Sequence, residues 1–339
     1  MSHSTQRNYL IDNLKALLII CVLVGHVLEK YIENQIIWKG VYGCIYLFHM
    51  ELFIFTTGFF SKNAIKSNKT AIRNYLFPYI LFNLIAYIVK FLIDGNWDLS
   101  WINPAWSMWY LFIIFLYRYT LKYIIRIPFH FLISIILSLV VSIFNFKNDL
   151  IFRFFAYLPF FLLGYHMQEN HILKIRKIKP FISCSVLIMI FGFVAYNIIF
   201  KDSMVSLFYN DAPYHQYNMS ILKGVIYRCM NFTAAAIIGV CLLNLLPKSS
   251  TFLSKTGSNS GTIYIFHTYF VRILKKYIDF PSNIASQWLL LLSIPIIFFL
   301  SYNPLTNYIY HSLSSLCGKI YDTLLNIFLK IKKLYPLKS

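Results

Sequence analysis

The 339 residues carry 31 Lys and Arg against 12 Asp and Glu, a formal net charge of +19, yet only 13% of the chain is charged. Hydrophobic residues make up 58% and aromatic residues 19%, and the mean hydropathy is +0.62. A soluble globule of this size could not cover so much apolar surface, so the chain reads as a membrane protein. The cations sit in short loops, where lipid headgroups and topology control account for them and no nucleic-acid partner is expected.

The apolar runs are continuous rather than alternating, which predicts helices and argues against a β-barrel. The expected fold is an all-α polytopic membrane protein, a bundle of about ten transmembrane helices with cytoplasmic N- and C-termini, in the cell (plasma) membrane. Spans are predicted near residues 10–31, 38–60, 75–94, 105–125, 128–146, 151–168, 181–200, 221–246, 259–278 and 284–302. Lys62, Lys66, Lys69 and Arg73 follow the second span, Arg118, Lys122 and Arg126 surround the turn after the fourth, and Lys174, Arg176, Lys177 and Lys179 follow the sixth. These loops belong inside by the positive-inside rule, opposite loops holding Asp94, Asp98, Asp149, Asp202 and Asp211. Lys275 and Lys276 after the ninth span run against that pattern. The N-terminus is too polar for a cleaved signal peptide, so the first run is expected to remain as a span. Residues 1–312 are expected to form one transmembrane domain and residues 313–339 a basic amphipathic tail on the inner membrane surface.

The first span is an apolar helix that nevertheless carries Asp12, Lys15, His26 and Glu29. At about 100° per residue, Lys15 and His26 differ by only about 20° around the axis, and Asp12 and Glu29 lie within about 60° of His26. A rise of about 1.5 Å per residue puts His26 roughly 16 Å from Lys15 along the axis, near the middle of the hydrocarbon layer if Lys15 marks its edge. Ionisable groups there cost several kcal/mol and are retained for a function. A neutral His26 can act as general base on an alcohol attacking an acyl carbonyl, with Glu29 orienting the imidazole or stabilising its cation. The alternative is a packing histidine bonded to a backbone carbonyl, with Asp12 and Lys15 snorkelling.

Further candidates follow along the chain. His49 and Glu51 lie in the second span, where His49 could help bind a donor or an acceptor, or serve as structural partner of Glu51 or of the first span. Gly58 there would let another helix approach closely. Trp106 and Trp109 read either as an aromatic belt or as the wall of a sugar or acyl pocket. The loop at 201–220, rich in Tyr, Asn and Asp, suits carbohydrate as well as plain exposure. His267 sits in the ninth span behind a polar, Gly-containing turn. The six cysteines show no CxxC spacing and are expected to be reduced and buried. No zinc site is expected, since the histidines lack HExxH spacing, and there is neither a Walker loop nor a GxSxG elbow.

Taken in order, these motifs resemble the integral-membrane acyltransferase family 3, in particular its fucose 4-O-acetylase-like, polysaccharide O-acetyltransferase branch. Asp12, Lys15 and Val24-Gly25-His26 resemble that branch's D-x-x-K…GH signature; Lys15 stands where the wider family often has Arg, whose bidentate contact Lys cannot make. Phe48-His49-Met50-Glu51-Leu52-Phe53 resembles FHMPLF followed by SG, with Glu51 in place of Pro and Thr57 in place of Ser. Arg73 through Pro78-Tyr79 resembles RxxLxPY, Trp106 to Leu111 resembles xLWFL, Leu162-Leu163-Gly164-Tyr165 resembles FxxGY, and Gly257-Ser258-Asn259-Ser260 with Tyr264 and His267 resembles GKNSxxIYxxH.

The resemblance implies an acyl-CoA-dependent O-acetyltransferase with His26 central to catalysis and Glu29 beside it. The donor implied is cytoplasmic acetyl-CoA, a substrate rather than a bound cofactor, with Asp12, Lys15 and Arg73 as its expected contacts. The acceptor implied is a hydroxyl of a cell-surface polysaccharide or a lipid-linked glycan. His49, Glu51, Trp109, Asn259 and His267 are pocket candidates, and no metal is expected. Other expected partners are membrane lipids and either a second copy or a polysaccharide-assembly complex. The rival readings are a transporter or flippase of a glycan, for which intramembrane His, Glu and Lys are also typical, and a membrane scaffold.

Overall fold

A computed structural model of the protein describes residues 7–29, 32, 36–95, 97, 99–100, 103–201, 205–278 and 284–334. Asp98 and Asp202 lie outside the described residues, as do residues 335–339 of the expected tail. Among the described residues the fold is all-helical: α1 (Tyr9–Leu28), α2 (Ile36–Tyr46), α3 (His49–Phe59), α4 (Ala64–Ala71), α5 (Phe77–Asp94), α6 (Trp109–Ile124), α7 (His130–Val140), α8 (Asp149–His166), α9 (Glu169–Ile175), α10 (Pro180–Lys201), α11 (Ile221–Leu245), α12 (Phe252–Ser258), α13 (Ser260–Tyr277), α14 (Ile284–Ser301) and α15 (Pro304–Leu334). The starts are locally encoded. Asn8, Asn63, Asn148 and Ser220 each accept a backbone N–H of the first turn of α1, α4, α8 and α11, satisfying donors that a helix leaves unpaired.

Five segments are long and apolar enough to cross a membrane, namely Tyr9–Leu28, Ile36–Phe59, Ala64–Asp94, Pro180–Phe200 and Ile221–Leu245, and up to seven do so if each of two bent helix pairs counts as one span. This is fewer than the ten runs of the sequence, for local reasons. α6 has 16 residues and α7 has 11, short of the roughly 20 that a hydrocarbon layer asks for. α13 brings Arg272, Lys275 and Lys276 into its last two turns. The expected second span is counted as one segment, Ile36–Phe59, although a turn at Leu47–Phe48 divides it into α2 and α3. The expected 312/313 boundary falls inside α15, which runs unbroken from Pro304 to Leu334.

The chain divides into two compact units: Met1–Lys62 with Phe129–Tyr302, and Asn63–Pro128 with Asn303–Ser339. In the first unit α1 is central, packing against α2, α3, α11, α12, α13 and α14. Its Leu10, Ile11, Leu14, Leu18, Ile19, Val22 and Leu23 are buried. Two close approaches set the register of its neighbours. α3 and α8 meet at reciprocal glycines: a Cβ on Gly58 would lie 1.9 Å from the Phe161 carbonyl oxygen, and one on Gly164 would lie 2.0 Å from that of Phe55. Only hydrogen fits at both, which brings the backbones together as the sequence anticipated for Gly58. Lys62 then donates to the carbonyls of Gly164, Tyr165 and Met167 at the end of α8, a cation on the negative pole of the helix.

The second approach docks α12 onto α1. A Cβ on Gly257 would lie 1.8 Å from the Asp12 carbonyl oxygen. Beside it, buried Asn13 donates to the carbonyls of Pro247 (2.9 Å) and Ser249 (3.2 Å) and accepts from Thr251 (2.7 Å) and Ser254 (2.6 Å). Asn13 therefore ties the α11–α12 connection to the start of α1. Asn13→Leu strands two carbonyls and two hydroxyls, each costing about 1–3 kcal/mol where water cannot replace the lost partner. The expected result is a clear fall in the thermal midpoint in detergent, with the protein still reaching the membrane.

In the second unit α15 packs on α5 and on the π-helical turn Ile72–Leu76 that precedes it. Phe82 stacks on Tyr310 with ring centroids 5.6 Å apart, and Phe77 meets Tyr321 edge-on at 5.4 Å. Arg73 lies against the backbone at Gly318, where a Cβ would come within 3.0 Å of its guanidinium carbon. From there it donates to Asp322 through Nε (3.0 Å) and Nη2 (2.9 Å).

Candidate active site

The candidate site is built around the C-terminal end of α1. His26 lies in its last turn and Glu29 follows the helix, with Glu29 Oε2 3.8 Å from His26 Nδ1. Glu29 is itself held by Lys275 of α13, whose Nζ lies 2.5 Å from the same carboxylate oxygen. The carboxylate faces Nδ1 and favours a proton there, which leaves the lone pair of a neutral ring on Nε2. The two side chains retain 28% and 39% of their surface exposed, so a reactant can reach them. This combination can serve as a general base, with a carboxylate on the Nδ1 side of the ring and a cation of a second helix holding that carboxylate.

α13 also supplies the neighbouring ring. His267 is fully buried, its centroid 5.4 Å from that of His26 at an interplanar angle of 32°. Its Nδ1 lies 2.8 Å from the Ile263 carbonyl, which can only accept, so Nδ1 carries the proton. Its Nε2 is buried and has no hydrogen-bond partner. His49 shows the same habit for a different reason. It begins α3 at the break after α2, and its Nδ1 lies 2.9 Å from the Ile45 carbonyl, in the last turn of α2. The imidazole thus adds a second donor to a carbonyl that also accepts the Phe48 N–H at 3.3 Å. In both rings the protein uses one nitrogen and leaves the other unspent.

Tyr46 connects His49 to His26. Its ring lies 4.7 Å from that of His49, and a Cβ on Gly25, the residue before His26, would come within 2.9 Å of its Cε2. The glycine of the VGH triplet thus makes room for an aromatic ring of α2 at the last turn of α1. Glu51 lies two residues after His49 and therefore about 200° round the helix, in a different environment. Completely buried, it accepts at Oε1 from Asn210 Nδ2 (3.3 Å), while Oε2 has no partner.

The remaining candidates lie elsewhere. Asp12 is occupied by Arg7, whose Nε lies 2.7 Å away and whose Nη2 donates to the Ser254 carbonyl (3.0 Å). Lys15 is half-buried, with its ammonium 5.8 Å from the centroid of the Phe60 ring. Asn259 marks the break between α12 and α13 and donates to the Lys255 carbonyl at 2.9 Å. Arg73 and Trp109 belong to the second unit. There Arg73 is paired with Asp322, and Trp109 is half-buried at the start of α6, edge-on to Tyr110 at 6.3 Å. Among the described residues, no group of three or more His, Cys, Asp and Glu side chains is placed to hold a metal ion.

A family model described as an acyltransferase domain matches residues 8–303, nearly the whole chain. The chain belongs to acyltransferase family 3. No curated protein and no solved structure matches it. Family membership and the apolar helices together make it a membrane acyltransferase. The match begins at the N-cap of α1 and ends just before α15.

Four residues of this neighbourhood escaped the sequence as candidates. Lys275 stood out only as a cation on the wrong side of the topology, and such a misplaced cation calls for a nearby acid. Tyr42 and Tyr46, at the i, i+4 spacing of one helical face, carried a signal that their apolar surroundings hid. Tyr209 was visible only as part of a tyrosine-rich loop.

Proposed function

We propose that this membrane acyltransferase moves an acetyl group from acetyl-CoA to a hydroxyl of a cell-surface polysaccharide or of its lipid-linked precursor. The observation that carries the reading is the His26 constellation: Glu29 at Nδ1, Lys275 fixing Glu29, and His267 against the ring. In the proposed reaction the acceptor oxygen attacks the thioester carbonyl carbon as its proton passes to His26 Nε2. The carbon–sulfur bond breaks, and the thiolate recovers the proton from the imidazolium and leaves as the free thiol. Glu29 stabilises the transient cation, and Lys275 keeps that carboxylate from turning away.

The donor is placed at the Lys15 end of α1, taken as cytoplasmic on the loop charges, with both termini on that side and the bundle in the plasma membrane. The expected crossings number about ten if α6 and α7 serve as short spans, which local thinning of the bilayer permits. Arg73 is available to CoA phosphates once they displace Asp322, the stronger anion winning the guanidinium. Asp12, already neutralised by Arg7, keeps Lys15 company rather than repelling the donor.

The test compares surface polysaccharide from wild-type and deletion cells by proton NMR. Loss of the acetyl signals in the deletion is the expected result. Unchanged acetylation with glycan retained inside the cell would replace the transferase with a carrier.

A further inference from the structure

The transferase reading leaves its acceptor without a binding surface, and the structure offers one beside His26. Tyr42 and Tyr46 of α2 stack with centroids 4.0 Å apart. Tyr209, from the turn Val205–Tyr209 after α10, stands across them, 5.3 Å from Tyr46 at an interplanar angle of 70°. Its hydroxyl lies 2.8 Å from that of Tyr42. Tyr42 is wholly buried, whereas Tyr46 and Tyr209 are half-buried and leave an aromatic corner open. That corner adjoins the reacting histidine through the contact of Tyr46 with Gly25. The carboxylate of Glu29 lies within electrostatic range of all three tyrosines.

The segment that carries Tyr209 is locked from below. Asn210 is completely buried with a left-handed φ of 53° and donates to Glu51. Asp211 forms an ion pair with Arg153 at 2.7 Å and accepts from the Tyr217 hydroxyl at 2.8 Å. The Tyr209 carbonyl accepts from Tyr157 at 3.3 Å. A buried carboxylate, a strained asparagine and an ion pair together hold one loop aromatic in place, which is how a binding surface is preorganised.

We infer that Tyr46 and Tyr209 form the acceptor platform of the transferase, receiving a pyranose ring of the glycan in their open corner, with Glu51 and Asn210 as positioning residues. The choice of a sugar follows from the rim. The C–H faces of a pyranose pack on tyrosine rings, and its hydroxyls find the tyrosine hydroxyls and the Glu29 carboxylate, a neighbour that an acyl tail would avoid. This inference rests on the proposed transferase activity.

The experiment uses membranes containing the full protein, acetyl-CoA with a labelled acetyl group, and as acceptor probe the cells' own surface polysaccharide deacetylated with alkali. Tyr209→Leu keeps apolar bulk and should raise the acceptor KM roughly tenfold, in line with the loss of an aromatic contact, while the donor KM stays put. Tyr209→Phe should recover most of that affinity. An unchanged acceptor KM in Tyr209→Leu overturns the platform. So does a parallel rise of donor and acceptor KM, which marks general damage to the fold. Wild-type membranes that transfer no label overturn instead the transferase reading beneath it.

Discussion

His26→Ala should lower kcat for acetyl transfer by about 100-fold to 10,000-fold, the range of a lost general base. The protein should still insert in the membrane and keep its donor KM. The geometry explains why one imidazole carries so much. His26 is the only one of the three site histidines with a carboxylate facing its Nδ1, and that carboxylate is gripped by Lys275 at 2.5 Å. His49 and His267 spend the same nitrogen on backbone carbonyls, which fixes their tautomer but puts no anion beside the ring. Fold damage should be small, because the His26 side chain is 28% exposed and its removal leaves a space open to one side. The measurement is label transfer from acetyl-CoA at saturating acceptor, normalised to protein in the membrane. Activity equal to wild type would remove His26 from the chemistry.

Gly58→Ala and Gly164→Ala should each unfold the protein at markedly lower temperature in detergent. The added carbon in either variant lands about 2 Å from a carbonyl oxygen of the facing helix, a distance no real contact reaches. Backbone cannot swing aside as a side-chain tip can, so α3 and α8 must separate along their shared length. Overpacking of this kind typically costs about 1–3 kcal/mol, and a backbone clash belongs at or above the top of that range. Gly192 in α10 provides the contrast, since a Cβ there meets nothing within 4 Å. Gly192→Ala should therefore be neutral or stabilise the helix by up to about 1 kcal/mol. Thermal unfolding followed by size-exclusion chromatography separates the cases. Equal midpoints for Gly58→Ala and Gly192→Ala would sink this account of the helix pair.

α15 illustrates how composition alone leaves a helix boundary open. Its mixture of Leu, Ile and Tyr with Lys reads as a separate surface tail from residue 313. Yet helix propensity has no reason to stop there, and Phe82, Phe77 and Arg73 give α15 partners well beyond residue 304. The family match ends at residue 303, and the helix begins at Pro304.

The sequence by itself determined the class of this protein and its likeness. Hydropathy is a sum over neighbouring residues, so apolar runs declare helices and membrane without any knowledge of packing. Short motifs around Gly25-His26, His49 and Asn259-His267 declare the family, because their spacing is preserved along one chain. The charged stripe of α1 also pointed to His26 from helical periodicity alone.

What the sequence could not determine is who meets whom. Lys275 reaches Glu29 across 246 residues, Tyr209 reaches Tyr42 across 167, and Asn13 reaches Ser254 across 241. Those pairings follow from how closely the helices can approach, and that is decided by glycines such as Gly58, Gly164 and Gly257, whose missing side chains acquire meaning only against a neighbouring backbone. The same holds for the break between α2 and α3. Periodicity runs straight through it, and the Ile45 carbonyl there meets both the Phe48 N–H and the His49 imidazole, contacts that the apolar pattern does not announce. Local sums therefore pointed to an all-helical membrane fold and to His26, and tertiary contacts chose the carboxylate, the cation and the aromatic rings that surround it.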